Sequence, residues 1–322
     1  MTQSPSLLSP ARRARIDLAP RCLAGWYRCV VTKRILATQP VICDRDCPYE
    51  IHTLTFDQDL PATLWSLKTW YHFSGTRPAL VIYAGGPLSA KSEAILSAHF
   101  PTCRIIRRKI FNQKMQVFLN NYKTSLRHSI TPSFYCALKL FGPMCFAQTD
   151  SILYVDSDVL FFRKPVELLK HLERQSACFN SDYQNAYAHP AALLNSLLPF
   201  RLEHGVNAGL FHISKKDLDG GRDLAEHYFT TVPEIDHHSW TINRHEQTLN
   251  ALLLSRANAK RLSADYQIAQ TPVTDTTVSH HFVNDGSRPA FYRVGMRRLV
   301  SSGFLTATAP DAMQRQALGV KA

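Results

Sequence analysis

With 322 residues, 45% of them hydrophobic, the chain can bury a substantial core as one large α/β domain or two small ones. No apolar run approaches the ~20 residues that span a bilayer, and the N-terminus lacks the apolar stretch of a secretory signal. The formal net charge of +12 is diffuse and carries no nucleic-acid-binding signature beyond charge.

Residues 1–45 read as a basic extension, poorly ordered or partly helical, with Arg12, Arg13, Arg15, Arg21, Arg28, Lys33 and Arg34. The eight cysteines (Cys22, Cys29, Cys43, Cys47, Cys103, Cys136, Cys145, Cys178) form no C-x-x-C pair and match no common zinc spacing. A chain with its own core needs no disulfide staples, so reduced thiols and a cytoplasmic location are expected. From residue 46 an α/β alternation begins. Ile51 to Phe56 (IHTLTF) alternates as a strand. Leu60, Leu64, Leu67 and Tyr71 then recur at helical spacing, and Gly75 and Pro78 end that helix. Ala79 to Ala84 is a buried strand, a second helix runs from near Ser89 to before Pro101, and Cys103 to Ile106 is a third strand. Such β-α-β-α-β order with short connections implies a parallel sheet with helices on both faces. Helical segments follow at Phe111 to Arg127 and Ser133 to Phe146, broken at Thr131-Pro132. Further strands are expected at Ala177 to Asn180 and Val206 to Ile213, and helices at Asp217 to Phe229 and His245 to Arg256. Residues 306–322 read as a loose tail, leaving 46–305 as a single domain.

Between the helices and the later strands lies Ser151 to Phe162, SILYVDSDVLFF, an apolar β run that delivers Asp156 and Asp158. Positions two apart on a strand share a side, so the two carboxylates converge and call for a cation. Mg²⁺ or Mn²⁺, which prefer oxygen ligands, would serve, and such an ion would hold a phosphate-bearing substrate. An Asp-x-Asp triplet also arises as an ordinary turn or cap. Its apolar flanks argue for a use, because burying charge without a partner costs on the order of several kcal/mol.

YCALKL (Tyr135 to Leu140), ILYVDSDVLF, VNAGLFHIS (Val206 to Ser214), EQTLN (Glu246 to Asn250) and HHFVNDGSRP (His280 to Pro289) occur in that order. Over roughly residues 48–300 this resembles the GT-A glycosyltransferases of the glycogenin and lipopolysaccharide galactosyltransferase group, and uncharacterised bacterial members still more. The resemblance implies a GT-A fold, a mixed central sheet flanked by helices in a Rossmann-like α/β arrangement. It implies Mn²⁺ or Mg²⁺ on Asp156, Asp158 and a late histidine, His281 rather than His280 because it precedes an aromatic. Asn207 and Gly209 would line the donor-sugar pocket, with Glu246 on sugar hydroxyls and Gln247 near the anomeric carbon. Asp156, Lys139, Arg288 and Thr55 would complete the donor site. Two positions depart from the pattern: Ala137 stands where the group has an arginine, and Glu246 where it has an aspartate.

The activity implied is transfer from a nucleotide-diphosphate sugar, a UDP-sugar, to an unidentified acceptor with retention of configuration. A nucleotide- or glycan-binding module without catalysis is the alternative, and a haloacid-dehalogenase-type phosphatase a more distant one. The basic, aromatic segment Phe291 to Val300 invites peripheral contact with an anionic membrane face, or is simply a packed helix with a solvated basic side.

Overall fold

Hydrophobic alternation becomes, in a computed structural model of the chain, two sheets wrapped by helices. The described residues are 22–44, 46–196, 198–232, 242–269, 271–283 and 288–309. Strands β1 (Tyr49–Thr55), β2 (Ala79–Ala84) and β3 (Arg104–Ile106) alternate with helices α1 (Leu60–Ser74) and α2 (Ala90–His99). They pair in parallel with β2 in the middle. All seven residues of β1 are buried, as suits a parallel strand covered on both faces. Helix α1 stops at Gly75, whose φ of 73° suits the residue without a Cβ. Helix α2 is capped by the Ser89 hydroxyl, which accepts the N–H of Ser92.

Instead of one helix over Phe111 to Arg127 there are two, α3 (Arg108–Phe118) and α4 (Lys123–Ile130). The break falls at Asn120-Asn121, residues whose side chains compete with the helical backbone. Helix α5 (Ala137–Phe146) then leads into β4 (Ser151–Val155), parallel to β1. Beyond β4 the sheet changes sense. The long strand β7 (Val206–Ser214) runs antiparallel to β4, and β6 (Cys178–Ser181) antiparallel to β7. With β8 (Lys260–Arg261) the order is β3-β2-β1-β4-β7-β6-β8, a mixed seven-stranded sheet flanked by helices.

The SILYVDSDVLFF run is not one strand. It leaves the main sheet after Val155 and re-enters β structure at Val159, as β5 (Val159–Phe161) of a second sheet with β9 (Tyr266–Ile268) and β10 (Ser279–His281). Asp156 and Asp158 occupy the turn between the sheets, where the N–H of Val159 donates to Asp156 O at 3.2 Å. They are therefore brought together by a turn rather than by strand alternation. Alternation holds within β4 itself. Ile152 and Tyr154 enter a core with Phe141, Phe211 and Leu249, whereas Leu153 and Val155 enter one with Trp65, Trp70 and Phe161.

Residues 22–44, expected to be poorly ordered or partly helical, include a helical segment over Val31–Ala37. Tyr27, Val31 and Ile35, spaced by four, are buried in the second core. The segment around Gln39 meets residues 308–309, since the Gln39 N–H donates to Thr308 O at 2.8 Å and its side-chain amide to Ala309 O at 2.7 Å. Residues 1–21 and 310–322, expected to be loose, lie outside the described residues. Within Phe291 to Val300, Phe291, Met296 and Leu299 are buried. No helix among the described residues is long and apolar enough to cross a membrane.

Candidate functional site

Three strand ends converge at the Asp156–Asp158 turn. Strand β7 supplies the frame, with Gly209 O accepting the Asp156 N–H at 2.8 Å. Strand β10 supplies His281, paired in register with Val159 just beyond Asp158. His281 Nε2 lies 3.0 Å from Asp158 Oδ1 and 3.7 Å from Asp156 Oδ2. One ligand atom from each of Asp156, Asp158 and His281 falls within 4.8 Å of the others, the one such group of metal-ligand side chains among the described residues. The neighbouring His280 faces elsewhere, stacked on Phe282 with Nε2 2.9 Å from Thr271 O.

Asn207 fixes the imidazole. Its Oδ1 accepts the Gly209 N–H at 2.9 Å and faces His281 Nδ1 at 2.8 Å. Its Nδ2 donates to Asp182 Oδ2 at 3.2 Å. An amide oxygen can only accept, so the network assigns the ring hydrogen to Nδ1 and turns Nε2 toward the carboxylates. Burial opposes charge on this imidazole, but Asp158 and then Asp156 hold its pKa above the ordinary histidine value. For Asp158, burial favours the neutral acid, and His281 outweighs it to hold the carboxyl below its usual range. The same Nε2, without its proton, presents a lone pair beside two carboxylate oxygens. That donor set fits a hard or borderline divalent cation, and the amide behind the histidine is the kind of support such ligands use.

The fully buried backbone at Gly209 makes room for this arrangement. A Cβ there would lie 2.1 Å from His281 Cε1, so the close approach that this glycine permits is that of the imidazole.

On the other side of Asp156 sits Lys139, from the first turns of α5. Its Nζ donates to Asp156 Oδ2 at 2.8 Å and lies 3.7 Å from Glu246 Oε1. It also sits 4.9 Å from the centre of the Tyr154 ring. Burial works against the ammonium, but Asp156 and Glu246 raise its pKa above the ordinary lysine value. Glu246, on helix α6 (Asn243–Arg256), is 4% exposed and accepts from the Asn250 amide. Its carboxyl is pushed up to about 7 by burial, with Lys139 opposing and Asp156 adding. This placement turns Glu246 toward Lys139 and Asn250. Gln247 donates to Val206 O at 3.2 Å and to Asp182 Oδ2 at 3.3 Å.

Arg288 is ion-paired to Asp59, at the start of α1. Burial disfavours its charge, while Asp59 and then Asp158 hold the guanidinium above its ordinary value. Thr55 is not brought into the group. Its side chain is buried, and its hydroxyl is shared with Thr63 at 2.6 Å. Ala137, whose methyl carries no charge, is also fully buried.

Two acids were not anticipated. Asp59 is the partner of Arg288, and Asp182 joins Asn207 to Gln247 while its Oδ1 is buried without a partner. The sequence signal for Asp182 is its place directly after the strand CFNS, as Asp156 directly follows SILYV.

No protein-family model matches the chain, and no curated protein sequence matches it. Among solved structures it is similar to mouse xyloside xylosyltransferase 1 in the apo form, at 11% identity and a TM-score of 0.49, covering 74% of this chain and 98% of that one. It is likewise similar to the galactosyltransferase LgtC in complex with donor and acceptor sugar analogues, at 12% identity and a TM-score of 0.47, covering 83% and 99%. A third is core-mannan synthase A from Aspergillus fumigatus in its Mn/GDP form, at 9% identity and a TM-score of 0.42, covering 66% and 70%.

Proposed function

We propose that the protein is a divalent-metal-dependent glycosyltransferase of the GT-A type. It takes its sugar from a nucleoside-diphosphate donor, a UDP-sugar, and passes it to an acceptor with retention of configuration. The observation that carries this reading is the convergence of Asp156, Asp158 and His281, with Asn207 fixing the imidazole from behind. These three side chains would hold Mn²⁺ or Mg²⁺, and the bound ion supplies positive charge to the donor diphosphate and to the departing nucleoside diphosphate.

Around that centre each residue has a task. Arg288 offers a bidentate cation to phosphate oxygens once it leaves Asp59. Lys139 neutralises Asp156 and keeps a positive charge beside the diphosphate. Gln247 addresses the sugar at the anomeric carbon, held from behind by Asp182, which also holds Asn207. Glu246 is a positioning residue behind Lys139. It is 4% exposed and engaged by Asn250, which argues against its serving as the carboxylate nucleophile of a double displacement. That favours front-face substitution or a short-lived ion pair.

A second reading, a nucleotide- or glycan-binding module, rests on Ala137. The cation that the resemblance implies there is missing, and Lys139 is already committed to two carboxylates. Donor hydrolysis separates the two. The transferase releases UDP from at least one UDP-sugar with Mn²⁺, and loses that release with EDTA or with Asp158→Ala. UDP binding without release from any donor would favour the binding module, and absence of both would overturn the proposal.

A further inference from the structure

The two basic groups of the sequence meet in the fold. Thr32 Oγ1 lies 3.5 Å from Met296 Sδ, and Tyr27, Val31 and Ile35 share a core with Phe291, Met296 and Leu299. What these segments leave facing outward is unusual. Trp26, Val30, Leu36 and Ile42 are 51%, 49%, 43% and 62% exposed, four of the nine exposed large hydrophobics among the described residues. Exposed Arg28, Lys33 and Arg34 are interleaved with them, and exposed Arg297 adjoins Met296. No acidic residue occurs between Asp17 and Asp44.

Single exposed apolar residues are ordinary, but a run of them among exposed cations is a surface suited to a partner that is both apolar and anionic. Nucleic acid would use the cations and leave Val30, Leu36 and Ile42 in water. A bilayer bearing anionic lipid uses both. Indole and aliphatic side chains enter the headgroup boundary, and basic side chains meet the phosphates. We propose that the exposed segment carrying Trp26, Arg28, Val30, Lys33, Arg34 and Leu36 docks the protein on an anionic membrane surface. The inference is independent of the transferase reading and can fail or hold without it.

The full chain is mixed with vesicles of phosphatidylcholine alone, or of phosphatidylcholine with phosphatidylglycerol. Co-sedimentation and tryptophan emission are both read. Trp65 and Trp70 are fully buried, so Trp26 is the described tryptophan able to report entry. The expected result is sedimentation with the anionic vesicles only, with an emission blue shift that Trp26→Ala removes. Each lost cation weakens binding about five-fold, so Lys33→Glu with Arg34→Glu lowers the partition coefficient by about 25-fold or more. These side chains are exposed, so unchanged melting temperatures are expected and separate loss of binding from loss of fold. No sedimentation, equal sedimentation with both vesicles, or binding that survives both variants would overturn the proposal. The last result would assign binding to another surface. Sedimentation lost only on adding an acidic protein or RNA competitor at equal charge, without any emission shift, would likewise count against it.

Discussion

Gly209→Ala tests whether the candidate site depends on the packing of one imidazole. The added methyl would lie 2.1, 2.5 and 2.8 Å from Cε1, Nδ1 and Nε2 of His281. Neither side can yield easily. His281 is 3% exposed in β10, and Gly209 is in the buried strand β7 with its carbonyl bonded to Asp156. Overpacking of this kind costs about 1–3 kcal/mol. The relief available is a shift of the ring, which breaks the 2.8 Å bond from Nδ1 to Asn207 and moves Nε2 off Asp158. Loss of such a support weakens metal binding by about 10–100-fold. If Mn²⁺ at a hundred times its dissociation constant stabilises the parent by about 2.7 kcal/mol, the variant should retain only about 0.4–1.4 kcal/mol. Thermal unfolding with a Mn²⁺ titration measures both effects. An unchanged melting temperature together with an unchanged Mn²⁺ response would refute the reasoning.

Four further outcomes are expected. Asp158→Ala abolishes the Mn²⁺-dependent melting shift while circular dichroism stays native; a retained shift would remove Asp158 from the ligand set. Asp182→Ala leaves Asn207 and Gln247 without their shared acceptor, so donor hydrolysis falls about tenfold or more while UDP-dependent stabilisation is kept; loss of UDP binding instead would place Asp182 under the nucleotide. Glu246 has a folded pKa of about 7 against 4.5, so its folded state holds the proton longer. Its contribution is full below about pH 4.5 and is lost as pH rises through about 7, by at most roughly 3 kcal/mol. Stability measured across that window should fall more steeply in the parent than in Glu246→Gln. Lys68, 2% exposed, has its amine pushed down to about 7 from 10.5 by burial. Here the unfolded chain binds the extra proton, so stability rises between about pH 7 and 10.5, by at most roughly 5 kcal/mol. Lys68→Met should lack that rise.

Local pattern carried the elements with strong periodicity. The strand at Ala79–Ala84 and the helix begun at Leu60 fall where apolar spacing placed them. The Asp-x-Asp convergence was anticipated for a reason that does not apply, since a turn between two sheets replaces strand alternation. His281 was preferred over His280 on its aromatic neighbour, and the register of β10 against β5 turns that side chain to the aspartates. What stayed hidden depends on long-range pairing. Nothing near Asn207 announces that its amide oxygen meets a histidine 74 positions later. Thr55 reads as a residue at the rim of a strand, and only the packing of α1 shows its hydroxyl spent on Thr63. Glu246 is read from the sequence as an acid for sugar hydroxyls, and only the fold shows Lys139, brought from another helix, beside it.

The most direct measurement is the melting temperature with UDP, with Mn²⁺, with both, and with both plus EDTA. The account predicts a UDP shift that requires Mn²⁺, disappears with EDTA, and is absent in Asp158→Ala. No shift with any nucleoside diphosphate in the presence of Mn²⁺, from a protein that unfolds cooperatively, would contradict it.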